Sequence, residues 1–199
     1  MRRLTWAALA GPVLFGVAAI VAPVLRSGGV VEESISSHAV GSYAWLQRST
    51  FFALGLSSLV LALGLRSTTE PTPLARAGWA LVAVWGVGAI LGGTYPADDT
   101  YGDVHGAIAT VSFVAIAVAI LLLARSFALD PRWRPLAGPS RLLGRAAALT
   151  GLLTAATTTS WFGVSERLFI ATVLGWLVLA ARHLDRVLMA PSPADGATG

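Results

Sequence analysis

Six apolar stretches, divided by short segments that hold most of the charge, leave this chain few ways to fold. A hydrocarbon core about 30 Å thick offers no partner to a backbone N–H or C=O, so it is crossed by helices of about 20 apolar residues. The pattern predicts spans over residues 5–25, 44–65, 77–94, 106–124, 146–163 and 166–186. The sixth has the shortest uncharged run, Leu168 to Ala181, and needs Arg167 and Arg182 to snorkel at its ends. Only 12% of the 199 residues are charged, against about a quarter in soluble domains. The reading is therefore all-α: a polytopic membrane protein, one six-helix domain over 1–190, with 191–199 as a disordered tail. Met-Arg-Arg before the first apolar run fits a signal peptide in charge, but the run is too long and lacks a cleavage site, so a retained helix is expected.

Arginine placement sets the expected orientation, because basic residues in short loops stay on the cytoplasmic side. With the N-terminus inside, that side holds Arg2, Arg3, Arg66, Arg76, Arg125, Arg132, Arg134, Arg141, Arg145, Arg182 and Arg186, while the outer loops hold Arg26 and Arg167. An even number of spans then returns the C-terminus to the cytoplasm. The expected location is multi-pass in the cell membrane, and an all-arginine, Ala/Leu/Gly-rich chain suggests a bacterial source. Trp133 is expected at the inner interface. Residues 125–145 read as a basic inner loop lying on the leaflet, with anionic lipid near Arg132, Arg134, Arg141 and Arg145. Asp130 and Asp185 read as solvated inner-surface groups. The pI of about 10.6 does not imply nucleic acid, since the arginines punctuate apolar segments instead of clustering with aromatics on one wet face.

Polar residues are costly inside a bundle, so their distribution points to function. They gather on the outer side: Glu32, Glu33, Ser34, Ser36, Ser37 and His38 in the first loop, Gln47 and Arg48 at the start of the second span, Asp98, Asp99, Asp103 and His105 in the second loop, and Ser165, Glu166 and Arg167 in the third. These loops are expected to meet over one vestibule. His105, following acids and opening the fourth helix, is a candidate base if a carboxylate such as Asp98 holds its imidazole; the alternative is a helix-start histidine bonded to loop backbone. Arg48 needs an acid, with Glu166 or Asp98 as candidates, for a structural lock or for gripping an anion. Gln47, Glu166 and Arg167 complete the candidate ligand-binding set. Without cysteine or HxxxH and HExxH spacing, neither a metal site nor a cofactor is expected. Gly88 and Gly92 form a small-xxx-small pair for helix packing, and the hydroxyl run Thr157 to Ser160 reads as packing glue.

The ordered motifs ISSHAVGSYAWLQRSTFFALGL, GGTYPADD, GDVHG and GVSERL resemble the prokaryotic six-helix membrane family catalogued as domain of unknown function 998. The resemblance covers nearly the whole chain. It implies six helices with polar motif residues at the outer face, matching Ser36, Gln47, Asp98, His105, Glu166 and Arg167, and it implies no established reaction. In layout the chain is also similar to the eukaryotic lipid-remodelling family typified by GPI-anchor maturation factors, although Ser37 stands where that family's motif has an acid.

Two functions compete at this level. One is binding of lipid or a partner through the outer vestibule without catalysis. The other is a membrane-embedded hydrolase or lipid-modifying enzyme using His105 and Asp98. A small transporter ranks below both, since only Ser57, Ser58 and small residues lie near the midplane.

Overall fold

The computed structural model describes residues 2–26, 31, 33–157 and 161–190; Glu32, Thr158 to Ser160 and the 191–199 tail lie outside the described residues, as do the side chains of Arg2, Arg3 and Arg26. The described residues form α1 (Arg2–Arg26), a 3-10 turn (Ser36–Ala39), α2 (Ala44–Thr68), α3 (Pro73–Thr94), α4 (Gly102–Leu129), α5 (Arg134–Ala156) and α6 (Phe162–Met189). Five of the six helices, all but α5, are long and apolar enough to cross a membrane. The protein is a multi-pass membrane protein. Each helix packs on its sequence neighbours, and α6 closes the ring against α1 while also touching α2 and α4.

Contacts along α6 fix the direction of every helix. At one end the Thr5 hydroxyl donates to Asp185 at 2.8 Å, which puts both described termini at the same end of the bundle. At the other end the Ile35 N–H donates to Glu166 at 2.6 Å. Between these levels α5 runs antiparallel to α6. The Arg132 carbonyl accepts from His183 at 2.8 Å, Ser140 accepts from the Trp176 indole at 3.0 Å, and a Cβ on Gly151 would lie 3.3 Å from the Phe169 ring. Thus α5 traverses the bundle although its hydropathy alone would not place it in a membrane.

That helix corrects the loop expected over 125–145. A four-residue turn, 130–133, replaces it, with Pro135 in the first turn of α5, where no N–H is missed. Arg134, Arg141 and Arg145 are exposed along α5, while Leu136, Ala137, Ser140, Gly144 and Ala147 face inward. Arginines at helical spacing on one face mimic a solvated loop in a linear reading. Trp133 is likewise not an interfacial anchor: it is fully buried, its ring stacked on Phe127 at 4.7 Å and its indole N–H bonded to the Thr68 carbonyl at 3.3 Å. Asp130 is buried too, accepting from the backbone of Glu70 at 3.2 Å and of Arg132 at 3.0 Å, so it knits the α2–α3 and α4–α5 turns together.

Packing between membrane helices draws little on the hydrophobic effect, because lipid tails are as apolar as leucine; close approach and interhelical hydrogen bonds take its place. Gly55 and Gly86 let α2 and α3 meet backbone to backbone, since a Cβ on Gly55 would lie 2.5 Å from the Gly86 carbonyl oxygen. Gly88 faces α4 instead, and its Cβ would fall on the Ser112 hydroxyl. Gly92 lies nearest His105 and Phe51, so the Gly88/Gly92 pair serves two contacts. Ser57 bridges α1 and α2: its hydroxyl accepts from the Gly11 N–H at 2.9 Å and donates to the Ala7 carbonyl at 2.5 Å, one residue before Pro12.

Candidate functional site

The site grows from the segment between α1 and α2. Ser34 organises it, accepting from the Ser37 N–H at 3.0 Å through its hydroxyl and from the Ser37 hydroxyl at 2.7 Å through its carbonyl. Gly41, at φ 85°, takes the left-handed conformation that a side chain disfavours and so turns the chain into α2. The start of α6 then clamps this segment. Glu166 accepts from the Ile35 N–H, and the Arg167 guanidinium donates to the carbonyls of Glu33 at 2.7 Å and of Gly163 at 2.9 Å. Arg167 also approaches His38 Nε2 at 3.5 Å, and the other ring nitrogen of His38 lies 3.8 Å from a Glu33 carboxylate oxygen. Instead of snorkelling, Arg167 is half-buried against protein carbonyls.

Arg48 corrects its expected pairing. Its Nε donates to the Ala39 carbonyl at 2.8 Å, so it holds the end of the 3-10 turn and pairs with neither Glu166 nor Asp98. Asp98 is also elsewhere engaged: its Oδ1 accepts from the backbone of Thr100 at 3.0 Å and of Tyr101 at 2.9 Å, a local turn that leads into α4. His105 is not oriented by a carboxylate. The carbonyl of Tyr95, which can only accept, lies 2.7 Å from Nδ1, so Nδ1 carries a proton and Nε2 is the ring nitrogen left for another partner.

His105 and Glu166 nevertheless converge. Both line a cavity of 40 Å³, together with Ser36, Trp85, Ser112 and Phe113, space for a few water-sized groups. Glu166 uses Oε2 for Ile35, leaving Oε1 for the cavity. The Trp85 indole N–H is buried without a partner. Gln47 is fully buried and neither atom of its amide is hydrogen-bonded; it stands one helical turn before Phe51, another cavity residue. Buried polar groups left in this state ask for a bound water or ligand. Among the described residues, no three His, Asp or Glu side chains gather to hold a metal ion.

Of the sequence candidates, the structure brings His105 and Glu166 to one cavity, with Gln47 on the helix face that continues it. It leaves Asp98 and exposed Asp99 in the turn before α4 and exposed Asp103 in the first turn of α4, and puts Arg48 and Arg167 to work on loop carbonyls. Trp85 and Ser112 were not legible as site residues. A tryptophan in the middle of a span, away from the interfaces where this residue concentrates, is the signal that could have marked Trp85.

The family described as protein of unknown function (DUF998) matches over residues 9–183. No curated protein and no solved structure matches the chain.

Proposed function

Because the chain belongs to the DUF998 family, whose function is unknown, we propose its role from its own geometry: it binds the polar end of a membrane lipid in the His105/Glu166 cavity. The observation that carries this reading is the pairing of a hydrogen-bonding cavity with buried polar groups, Trp85 Nε1 and the Gln47 amide, that lack partners. A purely structural cluster would have paired them off. Exposed Arg132 and Arg134, where α5 begins, supply a second contact, with anionic headgroups of the leaflet at the terminal end.

The test is mass spectrometry of organic extracts from the full chain purified in nanodiscs made with native lipids. The wild type is expected to enrich one compound at least fivefold over empty discs. His105→Ala should lose that enrichment, with its thermal unfolding within about 2 °C of the wild type. Identical extracts from both proteins would reject the reading. In the same extracts, replacing Arg132 and Arg134 by Gln should lower anionic lipid retention.

A second reading is supported by one observation: Ser36 shares the cavity with His105 and Glu166. A hydrolase would use this set, with Glu166 in place of Asp98. Whole-cell lipid classes that change on Ser36→Ala while the bound compound is retained would favour it over binding alone.

We further propose that the protein sits in a bacterial cytoplasmic membrane with both termini in the cytoplasm and the cavity end outward, as the arginine distribution favours. The chain has no cysteine, so single replacements report cleanly. Asp99→Cys should react with a membrane-impermeant maleimide on intact cells, and Ser67→Cys only after permeabilisation. The opposite pattern would invert the orientation and move the cavity to the cytoplasmic side.

A further inference from the structure

A second concavity lies on the bundle surface between α3 and α4. It measures 500 Å³ and is lined by Ala80, Val84, Val87 and Leu91 on α3 and by Ala107 and Val111 on α4, among others. Gly88, Ile108 and Ser112 line both this groove and the inner cavity. Between the two spaces stands little more than the Gly88 backbone against the Ser112 hydroxyl, which itself donates to the Ile108 carbonyl at 2.6 Å. His105 stands one helical turn along α4 from Ile108, at the groove's upper end.

The groove runs along α3 from Ala80 to Leu91, which at 1.5 Å per residue is about 16 Å, roughly half a hydrocarbon core. It is therefore one leaflet long. Because α3 and α4 span the membrane, what surrounds the groove is acyl chain. Its walls are small and branched apolar side chains apart from Ser112. The cavity at its head is lined by Glu166, whose Oε1 is not used for Ile35, by His105, whose Nε2 is not used for Tyr95, and by Trp85, whose indole N–H has no partner. A group that both donates and accepts, and that is no larger than a few water molecules, satisfies that set. A hydroxyl does so with a single atom, the smallest head that both donates and accepts.

We propose that the α3/α4 groove holds the chain of a single-chain lipid alcohol that enters sideways from the bilayer, with its hydroxyl in the His105/Glu166 cavity. This rests on the cavity being a binding site, and it adds the ligand class and the route. Leu91, Val87 and Val84 lie along the chain, and the Gly88–Ser112 contact marks where its polar end turns inward.

The test uses hexadecanol with a mid-chain diazirine, photolysed with the full chain in nanodiscs and mapped by peptide mass spectrometry. Hexadecanoic acid with the same diazirine is the control. The alcohol should label residues 80–91 and 107–112 at least threefold more than the lipid-exposed faces of α1 and α5, and unlabelled hexadecanol should compete. Val87→Trp fills the groove at a lipid-facing position and should abolish this labelling. Uniform labelling of all exposed faces, or no effect of Val87→Trp, would overturn the proposal. So would equal groove labelling by acid and alcohol, since the head would then not be read. If the nanodisc extracts still lose their compound in His105→Ala while Val87→Trp changes nothing, the cavity reading stands and the route alone fails.

Discussion

Ser57→Ala is expected to lower the unfolding temperature by roughly 2–12 °C. The Ser57 hydroxyl joins the Gly11 N–H to the Ala7 carbonyl, the pair that a regular helix would join directly. Pro12 follows at once, and a proline interrupts the local ladder by lacking an N–H and crowding the preceding turn. Within a bilayer, freed backbone groups are satisfied by a neighbouring helix or not at all. Alanine would remove two hydrogen bonds between α1 and α2, a net loss of about 0.5–1.5 kcal/mol each, and a chain of this size loses about 2–4 °C per kcal/mol. Ser58→Ala is the control, because the Ser58 hydroxyl bonds only to the Leu54 carbonyl of its own helix at 2.8 Å. Intrinsic tryptophan fluorescence during heating in detergent reads both variants. Equal midpoints for Ser57→Ala and Ser58→Ala would show that the bridge is incidental.

That serine also marks the boundary of what the sequence discloses. Six helices and both termini at one end follow from apolar length and parity, quantities summed over 20 residues at a time and insensitive to any one neighbour. The role of Ser57 depends on which residue of α1 lies opposite it, and no local pattern encodes that. The same distinction separates the site residues. Glu166 and His105 stand out because charge and imidazole are rare in apolar runs; the backbone-bonded alternative for His105 is the one found, on the Tyr95 carbonyl, whereas the acids expected beside His105 and Arg48 are engaged elsewhere. Asp98 serves its own turn, Arg48 serves Ala39, and the polar groups that share the cavity are Ser36 of the α1–α2 segment, Trp85 of α3 and Ser112 of α4. The long basic segment failed for a related reason. Arginines at 134, 141 and 145 lie on the exposed side of α5, and a linear hydropathy window averages that side with the apolar residues facing α4. The sixth span looked too short on uncharged length, yet α6 is the most enclosed of the five apolar helices. Its polar ends are matched by protein groups, the Ile35 N–H and the Glu33 carbonyl at one end and the Arg132 carbonyl and the Thr5 hydroxyl at the other.

Glu166→Leu should release the loop that roofs the cavity while leaving the helices assembled. Ile35 is buried, and its N–H has the Glu166 carboxyl as partner at 2.6 Å. Leaving that buried N–H without a partner costs about 1–3 kcal/mol, so the unfolding midpoint should fall by roughly 2–12 °C. The more telling change is local: amide exchange over 33–40 should rise at least tenfold, with α2 to α5 unaffected. Arg167 would keep its bonds to the Glu33 and Gly163 carbonyls, which tether one side of the loop and keep the loss regional. Ser36, one residue beyond Ile35, would leave the cavity wall, so the compound retained by the wild type in nanodiscs should be lost. His105→Ala should lose it as well, but without faster exchange over 33–40, because His105 is bonded to Tyr95 and not to this loop. Glu166→Gln separates geometry from charge: its amide oxygen still accepts from Ile35, so the loop should stay protected while the cavity gives up its carboxylate. Unchanged exchange over 33–40 in Glu166→Leu would mean that the loop is held by Arg48 on the Ala39 carbonyl and Arg167 on the Glu33 carbonyl. The α6 carboxylate would then be a cavity group without a structural duty.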